Sequence, residues 1–107
     1  MKYKFFNKKD LDNTDYSELL ICQIADVIIS DWTELANEKN KHILELVNAM
    51  KQINYISDQY YLDSGINIVV SFLAYTNNWK TYSSKIIKAE LKKRIENLNK
   101  QYGKLRD

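Results

Sequence analysis

Four residues of this 107-residue chain, His42, Cys22, Asp58 and Asp63, are the candidates for catalysis, and each also has a plainer reading. His42 is the only histidine, which excludes a site built on a histidine pair and leaves any Ser-His or Cys-His arrangement resting on one solvent-side residue of a helix. Cys22 lies in the apolar run Leu19 to Ile24, the setting of a buried inert thiol rather than of a thiolate held by nearby positive charge. Asp58 and Asp63 stand five apart and could pair for acid–base work or bind a cation, yet the same residues serve as caps and solvated side chains. The chain has no phosphate-cradling glycine loop, no dinucleotide fingerprint and no Cys-x-x-Cys pair. The reading is therefore of a protein that is not an enzyme, with no cofactor and no metal.

The residues that carry the strongest signal are aromatic. Of 13 Phe, Trp and Tyr residues, seven fall between positions 55 and 82: Tyr55, Tyr60, Tyr61, Phe72, Tyr75, Trp79 and Tyr82. Tyr and Trp combine large, stiff contact area with a polar handle, so they are favoured where one protein grips another or where a base is stacked. The alternative is that most of them wedge the connections against the core, with Phe72 in the core itself. Beside them runs Asn77-Asn78-Trp79-Lys80-Thr81-Tyr82-Ser83-Ser84-Lys85. Hydroxyls and lysines gathered at a helix N-terminus could hold an anion, with Trp79 or Tyr82 stacked on a base and Lys88 and Lys92 extending the basic surface. A capped helix after a polar loop has the same composition.

Charge divides the chain into unlike ends. Residues 1–38 hold four basic against eight acidic residues, residues 39–79 three against three, and residues 80–107 nine against three, so the total of +2 conceals a dipolar molecule. Such asymmetry favours an anionic partner at one end or head-to-tail contact with a second copy. Lysine outnumbers arginine 14 to 2, which weakens the case for base-specific readout, since the bidentate arginine fork is the better reader. With abundant Asn and Ile, that ratio suggests an AT-rich coding sequence of the kind found in low-GC bacteria, their phages and other mobile elements.

These side chains must be positioned by helices. Two glycines and no proline leave little material for tight turns that need positive φ, whereas helices need none. Asp15 stands three before Glu18, predicting a helix from about Asn13 to Ile29, although Val27-Ile28-Ile29 is β-branched and could form a short strand over residues 26–30. Asp31, three before Glu34, predicts a second start, with an end or bend near Asn37 to Asn40. Ile43, Leu44, Val47, Met50 and Ile53 step by three and four, predicting an amphipathic helix with Glu45, Asn48 and Lys51 outward. Residues 54–62 read as a tyrosine-rich connection. Asp63-Ser64-Gly65 then caps a helix that is apolar on nearly all sides.

Thr81 or Ser83 caps the last helix, which Gly103 should stop. On it Ile87, Leu91, Ile95, Leu98 and Tyr102 fall within an arc of about 80°, with Lys85, Lys88, Lys92, Lys93 and Lys100 opposite.

The expectation is one all-α domain over residues 1–107, a bundle of four or five helices around a central apolar helix at about 64–76, with residues 1–12 irregular or extended. The longest apolar stretches fall short of the roughly 20 residues that span a bilayer, so no membrane role is expected. The N-terminus lacks the apolar core and cleavage site of a signal peptide, and one cysteine permits no internal disulfide, which points to the cytoplasm. The function expected is protein binding by an inhibitor, immunity or accessory protein of a mobile element, self-associated as a dimer. The rival is nucleic-acid or nucleotide binding through Trp79, Lys80, Lys85, Lys88 and Lys92.

Overall fold

The computed structural model describes residues 14–106, with side chains through residue 101. The expectation for residues 1–12 lies outside the described residues. Among the described residues the fold is all-α, with four helices: α1 (Ile21–Asp31), α2 (Lys41–Met50), α3 (Gly65–Ala74) and α4 (Tyr82–Arg106). Three 3-10 turns, Tyr16–Glu18, Thr33–Ala36 and Glu38–Asn40, complete the helical elements. One antiparallel hairpin pairs β1 (Gln59–Tyr60) with β2 (Asp63–Ser64), setting Gln59 opposite Ser64 and Tyr60 opposite Asp63.

The β-branched run on α1 is helical because packing outweighs propensity. Ile21, Ile24, Ala25, Val27 and Ile28 share one face, and all are fully buried. A strand would alternate faces and turn every second one outward. Burying a side chain of this size contributes about 1.5–3 kcal/mol before entropy, far above the few tenths by which helix propensities differ. The predicted helix from Asn13 is instead broken: Leu19 and Leu20 are extended, and Asp15 caps only the short turn, its carboxylate accepting from the Ser17 N–H and hydroxyl. Those Ser17 hydrogen bonds hold the Asp15 carboxyl below its usual range.

α2 follows its sequence pattern, burying Ile43, Val47 and Met50 and exposing Glu45, Asn48 and Lys51. It packs between α1 and α3, while α4 crosses both α1 and α3. Ser64 caps α3 by accepting from the Asn67 N–H at 3.2 Å. Ile68, Val69 and Phe72 of α3 enter the core, whereas Val70 on the same helix is 48% exposed. α4 runs through Gly103 to Arg106, past the expected stop, because one glycine costs an established helix only about 1 kcal/mol. Arg94 on α4 bonds Glu90 at 2.7 Å and the Tyr16 carbonyl at 2.9 Å, tying the first turn to the last helix.

Candidate interaction surface

The structure separates the aromatic cluster into core and surface. Trp79 is 1% exposed and stacks on Trp32 with ring centroids 5.4 Å apart and planes 5° from parallel. Phe72 meets Trp79 edge-on at 6.2 Å. Trp79 therefore offers no platform to a base or a partner, which corrects its assignment as an anchor. A loop tryptophan can point either way, and Asp31 decides the direction here: its carboxylate accepts from the indole Nε1 at 2.8 Å and from the Thr81 hydroxyl. Asp31 is the last residue of α1 and gives no cap to the following turn, contrary to its sequence reading.

The expected anion site is likewise committed to the fold. Thr81 caps α4, its Oγ1 accepting from the Ser84 N–H at 3.0 Å, and the Ser84 hydroxyl donates to the Thr81 carbonyl at 2.7 Å. Ser83 and Ser84 are buried. Lys88 turns back from the lysine face to donate to the carbonyls of Thr76 and Trp79 at 2.7 and 2.8 Å, its Nζ lying 5.7 Å from the centre of the Trp79 ring. Burial, aided by Lys92 and Lys80, draws its pKa below the ordinary lysine range. Thr81, Ser84 and Lys88 thus hold the start of α4 in place, and the Asp31 carboxylate sets negative charge beside Thr81, where an anion would have to sit. Lys80, Lys85 and Lys92 remain exposed.

Five tyrosines of the predicted surface are left. Tyr75 lies at the end of α3, edge-on to His42 at 5.0 Å, and Tyr82 opens α4, both more than half exposed. Tyr55 lines a groove of about 430 Å³ between the first turn, residues 54–57 and α4, which Arg94, Asn97 and Leu98 close from the other side. Tyr60 and Tyr61 belong to the hairpin, whose two-residue loop is Tyr61-Leu62.

That loop has the least ordinary backbone among the described residues. Tyr61 has φ of 55°, the only positive φ at a non-glycine among the described residues. Two-residue hairpin loops with positive φ at their first position favour glycine there. A side chain in that region costs about 1–2 kcal/mol. Tyr61 is 84% exposed and Leu62 97%, so neither returns the cost by burial. Tyr61 touches Tyr60 edge-on at 4.6 Å.

The base beneath this tip is firmly built. The Asp58 carboxylate accepts from the N–H groups of Asn54 and Tyr55, each at 2.9 Å, and the Asp58 carbonyl accepts from Gly65 at 2.7 Å. Gly65 is required there, since a Cβ would lie 2.7 Å from the Ile56 carbonyl oxygen and 3.0 Å from that of Asp58. The Asp58 carboxylate is thus committed to that turn, whereas Asp63 lies on β2 and is exposed.

Comparisons of this chain with protein-family models, with curated proteins and with solved structures find no match. Chemistry has to be judged from the site alone. Among the described residues, no three His, Cys, Asp or Glu side chains gather closely enough to hold a metal ion, and no helix is long and apolar enough to cross a membrane. The Cys22 thiol donates to the Asn54 side chain at 3.4 Å.

The exposure of Leu62 at the hairpin tip and the role of Asp31 as acceptor for Trp79 and Thr81, rather than as a cap, were not legible. Leu62 had no hydrophobic periodicity to mark it as surface, and Asp31 finds its partners 48 and 50 positions away.

Proposed function

We propose that this chain is a small binding protein that engages another protein through the hairpin tip Tyr60-Tyr61-Leu62, acting by contact and not by catalysis. The observation that carries the reading is the tip itself: a tyrosine in the left-handed region beside a leucine that is almost wholly exposed, on a base held by backbone and carboxylate hydrogen bonds. Strain of this kind persists where the surrounding structure enforces it, and it concentrates at binding sites. A rigid apolar and aromatic projection loses little conformational freedom on docking, which favours affinity.

Charge narrows the class of partner. From Gln52 to Trp79 the only charged residues are Asp58 and Asp63, so the tip is mildly acidic and matches a basic-rimmed pocket. That agrees with an inhibitor, immunity or accessory protein of a mobile element directed at a nucleic-acid enzyme. We place this activity in the cytoplasm, in keeping with one half-buried, unpaired cysteine.

The second reading, binding of a nucleic acid, draws on Lys80, Lys85, Lys92, Lys93 and Lys100, all of which are exposed, four of them along α4. One set of experiments separates the two. The partner is captured from cells that produce the protein, identified, purified and titrated against variants. Leu62→Ser and Tyr61→Ser should each weaken binding about 30-fold, the loss of a hot spot of about 2 kcal/mol, while Lys85→Ala with Lys92→Ala leaves it near wild type. Tyr61→Gly should weaken binding and raise the melting temperature together, because it removes the strained side chain. Unchanged affinity in both tip variants overturns the proposal. Affinity that falls steeply with salt and with the two lysines assigns the protein to nucleic acid.

A further inference from the structure

We infer that the hairpin tip is an arginine-binding site, in which Asp63 pairs with the guanidinium of a partner protein while the Tyr60 and Tyr61 rings flank it. The arginine belongs to the same partner that the proposed function assigns to this tip, so the assignment rests on that reading.

Register brings the three side chains together. Tyr60 and Asp63 stand directly opposite each other, on either side of the two-residue loop. Cross-strand neighbours of this kind project from the same face of the ribbon, with Cβ atoms about 4.5–5.5 Å apart. Tyr60 packs against the core and meets the Tyr61 ring edge-on at 4.6 Å, so the aromatic surface beside the carboxylate is anchored.

Asp63 is exposed, and its carboxylate makes no hydrogen bond or ion pair among the described residues. The ion pairs among those residues, Lys51–Asp26 and Arg94–Glu90, lie elsewhere. Asp58 is the only other charged residue from Gln52 to Trp79, and its carboxylate already accepts from the Asn54 and Tyr55 N–H groups. One carboxylate at the tip is therefore free, and no basic residue of its own segment competes for it.

Chemistry selects the ligand. A guanidinium offers a carboxylate two parallel N–H donors and offers an aromatic ring a flat, weakly hydrated cation. An ammonium is a strongly hydrated point charge and serves a ring and a carboxylate together less well. A phosphate would meet Asp63 with the wrong sign. On the free protein each contact is weak, and a docked partner that excludes water strengthens both.

The probe for the test is a capped Gly-Arg-Gly peptide, compared with the same peptide carrying lysine or citrulline, which keeps the shape of arginine without its charge. NMR shifts of the full chain report binding. The arginine peptide should move the signals of Tyr60, Tyr61 and Asp63 with a Kd of about 1–10 mM. The citrulline peptide should bind at least about threefold more weakly, with lysine between the two. Asp63→Asn and Tyr61→Gly should each remove the preference while keeping wild-type circular dichroism, since glycine suits the positive φ and spares the hairpin. Glu34→Gln, at an exposed carboxylate of the Thr33–Ala36 turn, should leave it intact. Equal binding of arginine and citrulline overturns the inference, as does lysine that binds as well as arginine. A preference that survives Asp63→Asn, or that is lost in Glu34→Gln, overturns it too. These titrations need no partner, so their failure is distinct from failure of the proposed function, which falls when Tyr61→Ser and Leu62→Ser leave partner affinity unchanged.

Discussion

Asp31→Ala removes the one carboxylate that receives both the Trp79 indole and the Thr81 hydroxyl, and its cost can be worked from those two contacts. The Trp79 side chain is 1% exposed, so its N–H would lose its acceptor where water does not reach. A buried donor left unsatisfied costs about 1–3 kcal/mol. Thr81 would keep its cap on the Ser84 N–H but lose the group that orients its hydroxyl, a part of the roughly 1 kcal/mol that a cap is worth. The total is about 3 kcal/mol. At this chain length that lowers the melting temperature by roughly 10–15 °C. Asp31→Asn retains a carbonyl acceptor and loses only the charge assistance, so it should cost about 1 kcal/mol. Urea titrations followed by tryptophan fluorescence measure both, since the stacked Trp32–Trp79 pair reports directly on this corner of the core. The decisive arm is a double-mutant cycle with Trp79→Phe, which has no N–H to satisfy. On that background Asp31→Ala should cost about 1–2 kcal/mol less. Equal costs on the two backgrounds would refute the account of how Trp79 is held.

Two further expectations concern the residues that frame the candidate surface. Gly65→Ala sets a Cβ against the backbone oxygens of Ile56 and Asp58, neither of which can move away freely, so it should cost about 2 kcal/mol and loosen the hairpin base; denaturant midpoints and amide exchange at Gly65 and Tyr55 would register both. Lys88→Met keeps the side-chain stem but leaves the Thr76 and Trp79 carbonyls without their donor, costing about 1–3 kcal/mol, whereas Lys85→Met on the exposed face should fall within about 0.5 kcal/mol of wild type. Equal thermal melts for the two lysine variants would return Lys88 to the solvated face.

Much of the fold was legible because helical periodicity is local. The three-and-four spacing of Ile43, Val47 and Met50, and of Ile87 and Leu91, marks the buried side of α2 and α4 whatever lies opposite. The scarcity of glycine and proline, which disfavours β-turn architectures, needs no partner either. Ser64 as a cap was legible for the same reason, since donor and acceptor lie three residues apart.

What only the tertiary structure decided is direction. Trp79 and Tyr61 are both aromatic residues in polar connections, and nothing within a few positions of either says that one is buried and the other exposed. Trp79 turns inward because Trp32 and Asp31, 47 and 48 positions earlier, supply a stacking face and an acceptor. Lys88 leaves the lysine face because the loop ending at Trp79 presents two carbonyls within its reach. Tyr61 is held at positive φ because the β1–β2 pairing on one side and the close approach of Gly65 to Ile56 and Asp58 on the other leave two residues to close the turn. Local sequence sets which segments are helical and which side of each is apolar. The surface left for a partner depends on contacts between segments far apart in the chain, and those form only when the whole core closes.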